Sequence, residues 1–144
     1  MSKVNCENKN QRRPIALPGI IKTANKTLDE LGRKECEINI VFISNQRIRA
    51  MNRRYLGKDA ATDVLAFRQV EPEPGQEGFL GDIAISSDKA VQNAKEYGTS
   101  FDEETALYVI HGILHLTGHE DRTKKGQVRM RKEEDRLFQK IRKV

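Results

Sequence analysis

Residues 100–118 combine an apolar helical pattern with two histidines, and this segment constrains the fold more than any other. Ser100 or Asp102 is the predicted N-cap, and Gly118 follows the last predicted turn. Between them, apolar residues recur at helical spacing, namely Ala106, Leu107, Val109, Ile110, Ile113 and Leu114. Because this stripe has to be buried, we predict a central helix that other elements surround.

The rest of the chain alternates short strand and helix patterns. Strand patterns cover 37–43, 62–67 and 80–86, and helical patterns cover 18–31, 44–57, 87–97 and the basic C-terminal segment. We predict an α+β fold, a single compact domain with a small mixed sheet of about four strands and about five helices. Residues 1–14 are polar and end at Pro14, so we expect a flexible N-terminal segment before a domain over 15–144.

Composition narrows the class of protein. The chain has 144 residues, of which 37% are hydrophobic and 33% are charged, as in one ordinary soluble domain. There is no apolar run of membrane-spanning length and no signal-peptide core, so we expect a cytoplasmic monomer without membrane contact. Cys6 and Cys36 are far apart in the chain, and we predict two reduced, unpaired thiols.

The positive charges are unevenly distributed. The net charge is +5, and the segment from Arg122 to the C-terminus has ten Lys or Arg residues against three acids. Arg47 to Lys58 adds five bases and no acid. This distribution is typical both of a nucleic-acid-binding surface and of a solvated helical face, and charge alone does not separate the two.

All three histidines lie between residues 111 and 121. On a helix, His111 and His115 lie one turn apart on the same face, where both imidazoles can reach one metal ion. Gly118 lets the chain turn back, and Asp121 can then supply a third ligand. Because two histidines and one further donor leave a coordination position open for water, the pattern indicates a catalytic metal site.

The histidine motif and two further segments resemble one known family. His111-Gly-Ile-Leu-His115-Leu-x-Gly118 resembles the signature of the YbeY endoribonucleases, a family of bacterial rRNA maturation factors. Residues 51–67 resemble the family's Asn-x-x-Tyr and Thr-Asp-Val-Leu-x-Phe block, and residues 80–86 resemble its Gly-Asp-Ile strand. The resemblance covers about residues 15 to 140.

The resemblance implies an activity, a cofactor and partners. It implies a single-strand-specific, metal-dependent endoribonuclease that acts in maturation of the 3′ end of small-subunit rRNA and in ribosome quality control. The implied cofactor is one zinc ion, or another divalent metal in its place. The implied partners are single-stranded RNA, rRNA and the ribosome or its small-subunit proteins.

The chain departs from the family pattern at the third metal ligand. The family has a histidine ten residues after the first, where this chain has Asp121, and His119 lies two residues earlier. We predict His111, His115 and Asp121 as the ligands, because the spacing is kept and a carboxylate is an accepted zinc donor, with His119 as the alternative. We predict that the catalytic residues are His111 and His115, together with Glu120 as an acid or base.

A second departure concerns the RNA phosphate. The family often has an arginine where this chain has Leu56. Arg53, Arg54 or Lys58 can replace its charge, though not necessarily its geometry. Further RNA-binding candidates on the C-terminal helix are Arg129 and Arg131.

Two other functions stay open at this point. One is a zinc metallopeptidase-like hydrolase, although Gly112 stands where peptidases of the His-Glu-x-x-His type have their general base. The other is a non-catalytic ribosome-associated factor with a structural metal.

The roles of two single residues also stay open. Asp63 is either a hydrogen-bonding residue at a strand start or a functional one, and Gly81 marks either a bulge or a close approach of backbone to substrate.

Overall fold

The computed structural model describes residues 2–71, 73–75 and 77–142. In these ranges the chain forms four strands and five helices, as the predicted α+β fold requires. The order is β1 (Lys3–Asn8), α1 (Leu17–Glu30), β2 (Glu37–Ile43), α2 (Asn45–Leu56), β3 (Val64–Arg68), β4 (Phe79–Ser86), α3 (Ser87–Tyr97), α4 (Phe101–Leu116) and α5 (Lys124–Arg142).

The four strands form one mixed sheet in the order β1-β2-β4-β3. β1, β2 and β4 are parallel, and β3 pairs antiparallel with β4 at the edge. The register of β4 against β2 shifts next to Gly81, which has a φ of 143°. A Cβ at Gly81 would lie 2.2 Å from the carbonyl oxygen of Phe67, so the irregularity at this point requires glycine.

The strand β1 corrects the prediction of a flexible segment over residues 1–14. Residues 3–8 pair with β2 in register from Lys3 opposite Glu37 to Asn8 opposite Phe42. Val4 and Cys6 pack against the core, and the Asn5 side chain bonds across to β2. The sequence of β1 contains only two half-buried apolar residues, which is too weak a pattern to predict a strand. The strand forms because β2 provides its hydrogen-bonding partner. The domain therefore begins near residue 3, not residue 15.

The central helix α4 lies between the sheet and α5. Its sheet side joins a core with α1 and with the inward residues of β2 and β4, which include Ile38, Ile40, Phe42, Ile83 and Ile85. Its opposite side packs Ile110 and Leu114 against Met130 and Leu137 of α5. A helix enclosed on both sides has little freedom to rotate or shift, so side chains on its remaining face are held in place.

The other face of the sheet is partly covered by α2. Ile48 of this helix packs on Ile43, Leu65 and Ala84. This helix is capped at its N-terminus, where the Ser44 side chain accepts a hydrogen bond from the backbone N–H of Arg47. Gly57 ends the helix in the left-handed conformation.

Three smaller predictions can also be compared with the structure. The N-cap of α3 is Ser86, and the helix begins at Ser87, where the predicted helical pattern starts. Cys6 and Cys36 are free thiols, as predicted. Across the described ranges, no helix combines the length and the apolar character needed to cross a bilayer.

Candidate metal centre

The two histidines of α4 converge on one point. His111 and His115 lie one turn apart, and their Nε2 atoms are 3.1 Å from each other. The two rings meet edge to face at an angle of 74°. Their side chains keep 28% and 27% exposure, so each imidazole is mostly buried but still partly accessible to solvent.

The third donor comes from the turn between α4 and α5. Gly118 has a φ of 103°, and the N–H of His119 donates back to the carbonyl of Leu114 at 2.9 Å. The side-chain amide of Gln127, in the first turns of α5, donates to the carbonyl oxygen of Asp121 at 3.0 Å. These bonds return the chain so that Asp121 Oδ2 lies 3.7 Å from His115 Nε2.

His111, His115 and Asp121 form a group whose ligand atoms all lie within 4.8 Å of one another. Of the residues that the structure describes, this is the one set of three or more such side chains found together. Donors of a tetrahedral zinc ion lie about 3.3 Å apart, given bonds of about 2.0–2.2 Å. The observed separations of 3.1 and 3.7 Å bracket that value, so the residues fit a divalent metal. Three protein donors leave a fourth position open.

Sequence reasoning missed Glu134 of α5. Its carboxylate is hydrogen-bonded to Nδ1 of His111, the ring nitrogen that faces away from His115. The signal was present, because Glu134 follows Met130 by four residues and precedes Leu137 by three, and both are buried. A carboxylate on the apolar side of a helix needs a partner, and here that partner is His111.

The pKa values of the two histidines are shifted in opposite directions, upward for His111 and downward for His115. Burial lowers the pKa of His111, but the hydrogen bond and charge of Glu134, with the charges of Asp63 and Asp121, outweigh it and raise the pKa. Burial and the adjacent His111 lower the pKa of His115, and the carboxylates offset this only in part. The carboxylates around the pair therefore favour a cation at this point.

Two adjoining depressions open onto the donor group. One is lined by His111, His115 and Asp121 together with residues of α2, of β3 and of the loop between them, including Asn52, Leu56, Lys58 and Asp63. The other is lined by His111 and Asp121 with residues of α5, namely Gln127, Met130, Arg131 and Glu134. Lys58 and Arg131 thus place a cation in each depression, where a phosphate could be contacted.

The structure does not bring the other three predicted RNA-binding residues to the donor group. Arg53 and Arg54 are exposed on α2, and Arg129 is exposed on α5. They are absent from the described linings of both depressions. Another basic residue, Arg68 at the end of β3, lies next to the turn that carries Asp121. Its guanidinium is 3.6 Å from where a Cβ of Gly118 would be, a contact between distant segments that sequence spacing does not reveal.

Two predicted residues of the turn lie outside the donor group. His119 is half-buried, and its Nδ1 has no hydrogen-bond partner among the described residues. Glu120 is exposed and belongs to neither described lining. Asp63, for which two roles were open, makes the predicted hydrogen bond at the strand start, and its functional role stays a prediction. Its carboxylate accepts from the N–H of Val64 at 2.8 Å, and it also lines the cleft beside His111.

Gly112 occupies a position with no room for a side chain. A Cβ there would lie 2.8 Å from Cγ2 of Ile83, because α4 packs directly on β4. The position between the two histidines that carries the general base in zinc peptidases therefore faces the core here, not the cleft. This packing argues against a peptidase mechanism of that type.

Comparison with known proteins agrees with the sequence motifs. The family model described as endoribonuclease YbeY matches residues 5–142. Proteins named endoribonuclease YbeY from Geobacter metallireducens and Syntrophotalea carbinolica are 38% and 33% identical to this chain. The first alignment covers 92% of this chain and 89% of the relative, and the second covers 99% and 97%.

A solved structure shares the fold. The solution structure of a Thermotoga maritima protein superposes with a TM-score of 0.65, covering 96% of this chain and 88% of that protein at 24% identity. At this identity the likeness concerns the fold alone. The family match, which extends over nearly all of the described residues and includes the histidine helix and the Asp121 turn, decides the relationship. The chain belongs to the YbeY endoribonuclease family.

Proposed function

We propose that this protein is a metal-dependent endoribonuclease that cleaves single-stranded RNA. The observation that carries the proposal is the group of His111, His115 and Asp121 at the junction of two depressions, each with a lysine or arginine in its lining. Relatives across the family carry the name endoribonuclease. A divalent metal next to cationic side chains is a common arrangement for phosphodiester chemistry.

The residues of the cleft divide into two roles. His111, His115 and Asp121 would hold one divalent ion, with zinc as the first candidate. When bound, such an ion polarises a phosphodiester oxygen and lowers the pKa of water at its open position. Lys58 and Arg131 would orient the RNA backbone through its phosphates, contacts that carry no sequence information. Glu120 remains the predicted acid or base, since its exposed side chain is one residue from Asp121.

The proposed substrate is small-subunit rRNA, with cleavage near its 3′ end during maturation and in ribosome quality control in the cytoplasm. The distribution of basic residues supports a polyanionic partner. Helices α2 and α5 carry most of the basic segments found in the sequence, and each supplies or precedes a cation next to the donor group. The ribosome and its small-subunit proteins are the proposed macromolecular partners.

The alternative functions find less support. The buried Gly112 disfavours the peptidase-like mechanism. A non-catalytic factor with a structural metal would be expected to enclose the metal with four protein ligands. Here the described residues supply three donors, and the side chain of Asp121 is 46% exposed.

The test is cleavage of a labelled single-stranded RNA, with the same sequence as an RNA duplex and as single-stranded DNA for comparison. Wild type and His115→Ala would be purified in parallel, and wild type would also be assayed after chelation and after zinc is restored. We expect cleavage of single-stranded RNA alone, lost with the chelator or the substitution and recovered with zinc. Equal cleavage by His115→Ala, or no cleavage by zinc-loaded wild type, would overturn the proposal.

A further inference from the structure

We propose that Glu134 is a positioning residue that fixes the tautomer and orientation of His111, so that the Nε2 atom of His111 is available to a metal. The inference rests on the proposed metal site and deepens it. A neutral imidazole carries one proton, on either Nδ1 or Nε2, and only the nitrogen without the proton can bind a metal. Which nitrogen is free depends on the partner of the other one.

The contacts of His111 separate the two nitrogens clearly. Nδ1 is hydrogen-bonded to the Glu134 carboxylate, and Nε2 lies 3.1 Å from Nε2 of His115. A carboxylate accepts hydrogen bonds and has none to donate, so it selects the tautomer with the proton on Nδ1. In that tautomer the lone pair of Nε2 points to where His115 and Asp121 also present their donor atoms.

Glu134 is placed to do this rigidly. Met130 and Leu137, on the same side of α5, are buried in a core with Ile110 and Leu114 of α4. The Glu134 side chain is 20% exposed, and among the described residues its one ion-pairing partner is His111. The packing of α5 on α4 therefore fixes the position of the Glu134 carboxylate. The carboxylate in turn fixes the orientation of the His111 imidazole.

The next residue along the chain offers a matched control. Glu133 is also a partly exposed glutamate of α5, but it forms its ion pair with Arg136 of the same helix. It makes no described contact with the donor group. A substitution at Glu133 therefore changes the net charge and the charge of α5 as a substitution at Glu134 does, without touching His111.

The experiment compares wild type, Glu134→Gln and Glu133→Gln. Zinc affinity would be measured by competition with a chromophoric chelator, and the histidine tautomers by ¹⁵N NMR of metal-free protein at alkaline pH. A glutamine can turn its NH₂ toward Nδ1, so its preference between tautomers is lost. We expect Glu134→Gln to bind zinc about 10–100-fold more weakly and His111 to shift from Nδ1–H toward Nε2–H. Glu133→Gln should match wild type in both.

Two further measurements keep the outcomes separate. Thermal unfolding of the metal-free variants checks that α5 stays folded, and Glu134→Ala repeats the test without a side-chain amide. Unchanged affinity and an unchanged NMR pattern in folded Glu134→Gln would overturn the role of Glu134. Failure of wild type to bind zinc would contradict the proposed function instead, while the tautomer of His111 in the metal-free proteins would still decide the role of Glu134.

Discussion

Two aspartates of this chain, Asp88 and Asp121, lie in opposite kinds of surroundings. Asp88 accepts hydrogen bonds at 3.1 Å from Asn10 and from Arg13, and at 2.9 Å from the backbone N–H of Asn45. Asp121 accepts no side-chain hydrogen bond from the described residues, and its Oδ2 lies 3.7 Å from Nε2 of His115. The Asp88 carboxylate accepts hydrogen bonds from three residues, whereas the Asp121 carboxylate accepts none from the described residues and lies beside two imidazoles.

The number of hydrogen-bond donors around a carboxylate distinguishes a structural carboxylate from one that is available to bind a cation. Asp88 joins the N-termini of α2 and α3 to the segment after β1, so its charge is already compensated within the fold. Within the described part of the chain, the side-chain hydrogen bond to Asp121 reaches its backbone carbonyl, from Gln127, and its carboxylate accepts none. Free carboxylate oxygens at a convergence of imidazole nitrogens are available to a cation.

The largest expected effect is on zinc affinity and follows from removing the Asp121 carboxylate. We expect Asp121→Ala to weaken zinc binding at least about 100-fold, because loss of a ligand should exceed the about 10–100-fold cost of losing a ligand's hydrogen-bond partner. The free energy of unfolding without metal should change by less than about 0.5 kcal/mol. The control is His119→Ala, which should leave zinc affinity unchanged. The reverse order of the two affinities would assign the third ligand to His119.

The second prediction tests whether α4 packs directly on β4 at Gly112, between the two histidines. Gly112→Ala places a methyl group against Ile83, and we expect a loss of about 1–3 kcal/mol of unfolding free energy from overpacking. Gly19→Ala in α1 is the matched control, since no atom lies within 4 Å of its added Cβ. That variant should gain up to about 1 kcal/mol. Urea unfolding measures both, and equal stability of the two variants would contradict the packing argument.

The third prediction concerns Asp88 and the pH dependence of its contribution to the free energy of unfolding. Burial raises the pKa of Asp88, but the hydrogen bonds from Asn45, Arg13 and Asn10 and the charge of Arg13 outweigh it, so the pKa is lowered on folding. The charged form therefore stabilises the fold above the ordinary carboxyl pKa of about 3.9, and this contribution disappears as the pH falls through the lower folded value.

Accordingly, we expect Asp88→Asn to lose about 1 kcal/mol of unfolding free energy at neutral pH. The difference from wild type should narrow in strong acid, and zinc affinity should not change at neutral pH. Urea titrations at several pH values measure the effect. A difference that stays constant down to strong acid would show that the charge of Asp88 is not its source.

The smallest expected effect concerns the single side-chain hydrogen bond on the Asp121 backbone. Gln127→Ala removes the 3.0 Å bond to the carbonyl oxygen of Asp121, which should loosen the turn. We expect zinc affinity to fall by a few-fold, in line with about 0.5–1.5 kcal/mol for one hydrogen bond. Chelator competition resolves a change of this size, and an affinity equal to wild type would show that the glycine turn alone holds Asp121.

Local patterns predicted much of this molecule. The spacing of His111 and His115 and the apolar residues around them identify a central helix with both imidazoles on one face. The capping of α4 by Ser100 could be predicted, because a serine hydroxyl before a helical pattern accepts hydrogen bonds from the first backbone N–H groups of the helix. The spacing from His115 to Asp121 depends on one turn, so it too could be predicted from nearby residues.

Long-range contacts account for what the sequence did not reveal. Glu134 meets His111 across 23 residues of chain, through the docking of one helix on another. β1 exists because β2 pairs with it, and its own residues are mostly polar. Among the basic residues of the second helix region, Lys58 faces the cleft while Arg53 does not. The orientation of α2 is set by the burial of Ile48 and Asn52, and the number of charges in the segment says nothing about it.

The proposed metal site consists of His111, His115 and Asp121, which together would hold one ion. Zinc-edge X-ray absorption of the loaded wild-type protein, with its zinc content, tests it most directly. We expect one zinc per chain, coordinated by two imidazoles and by oxygen donors, and one imidazole fewer in His115→Ala, provided that this variant still binds zinc. Three imidazoles in wild type would replace Asp121 by His119, and no stoichiometric zinc would contradict the metal site itself.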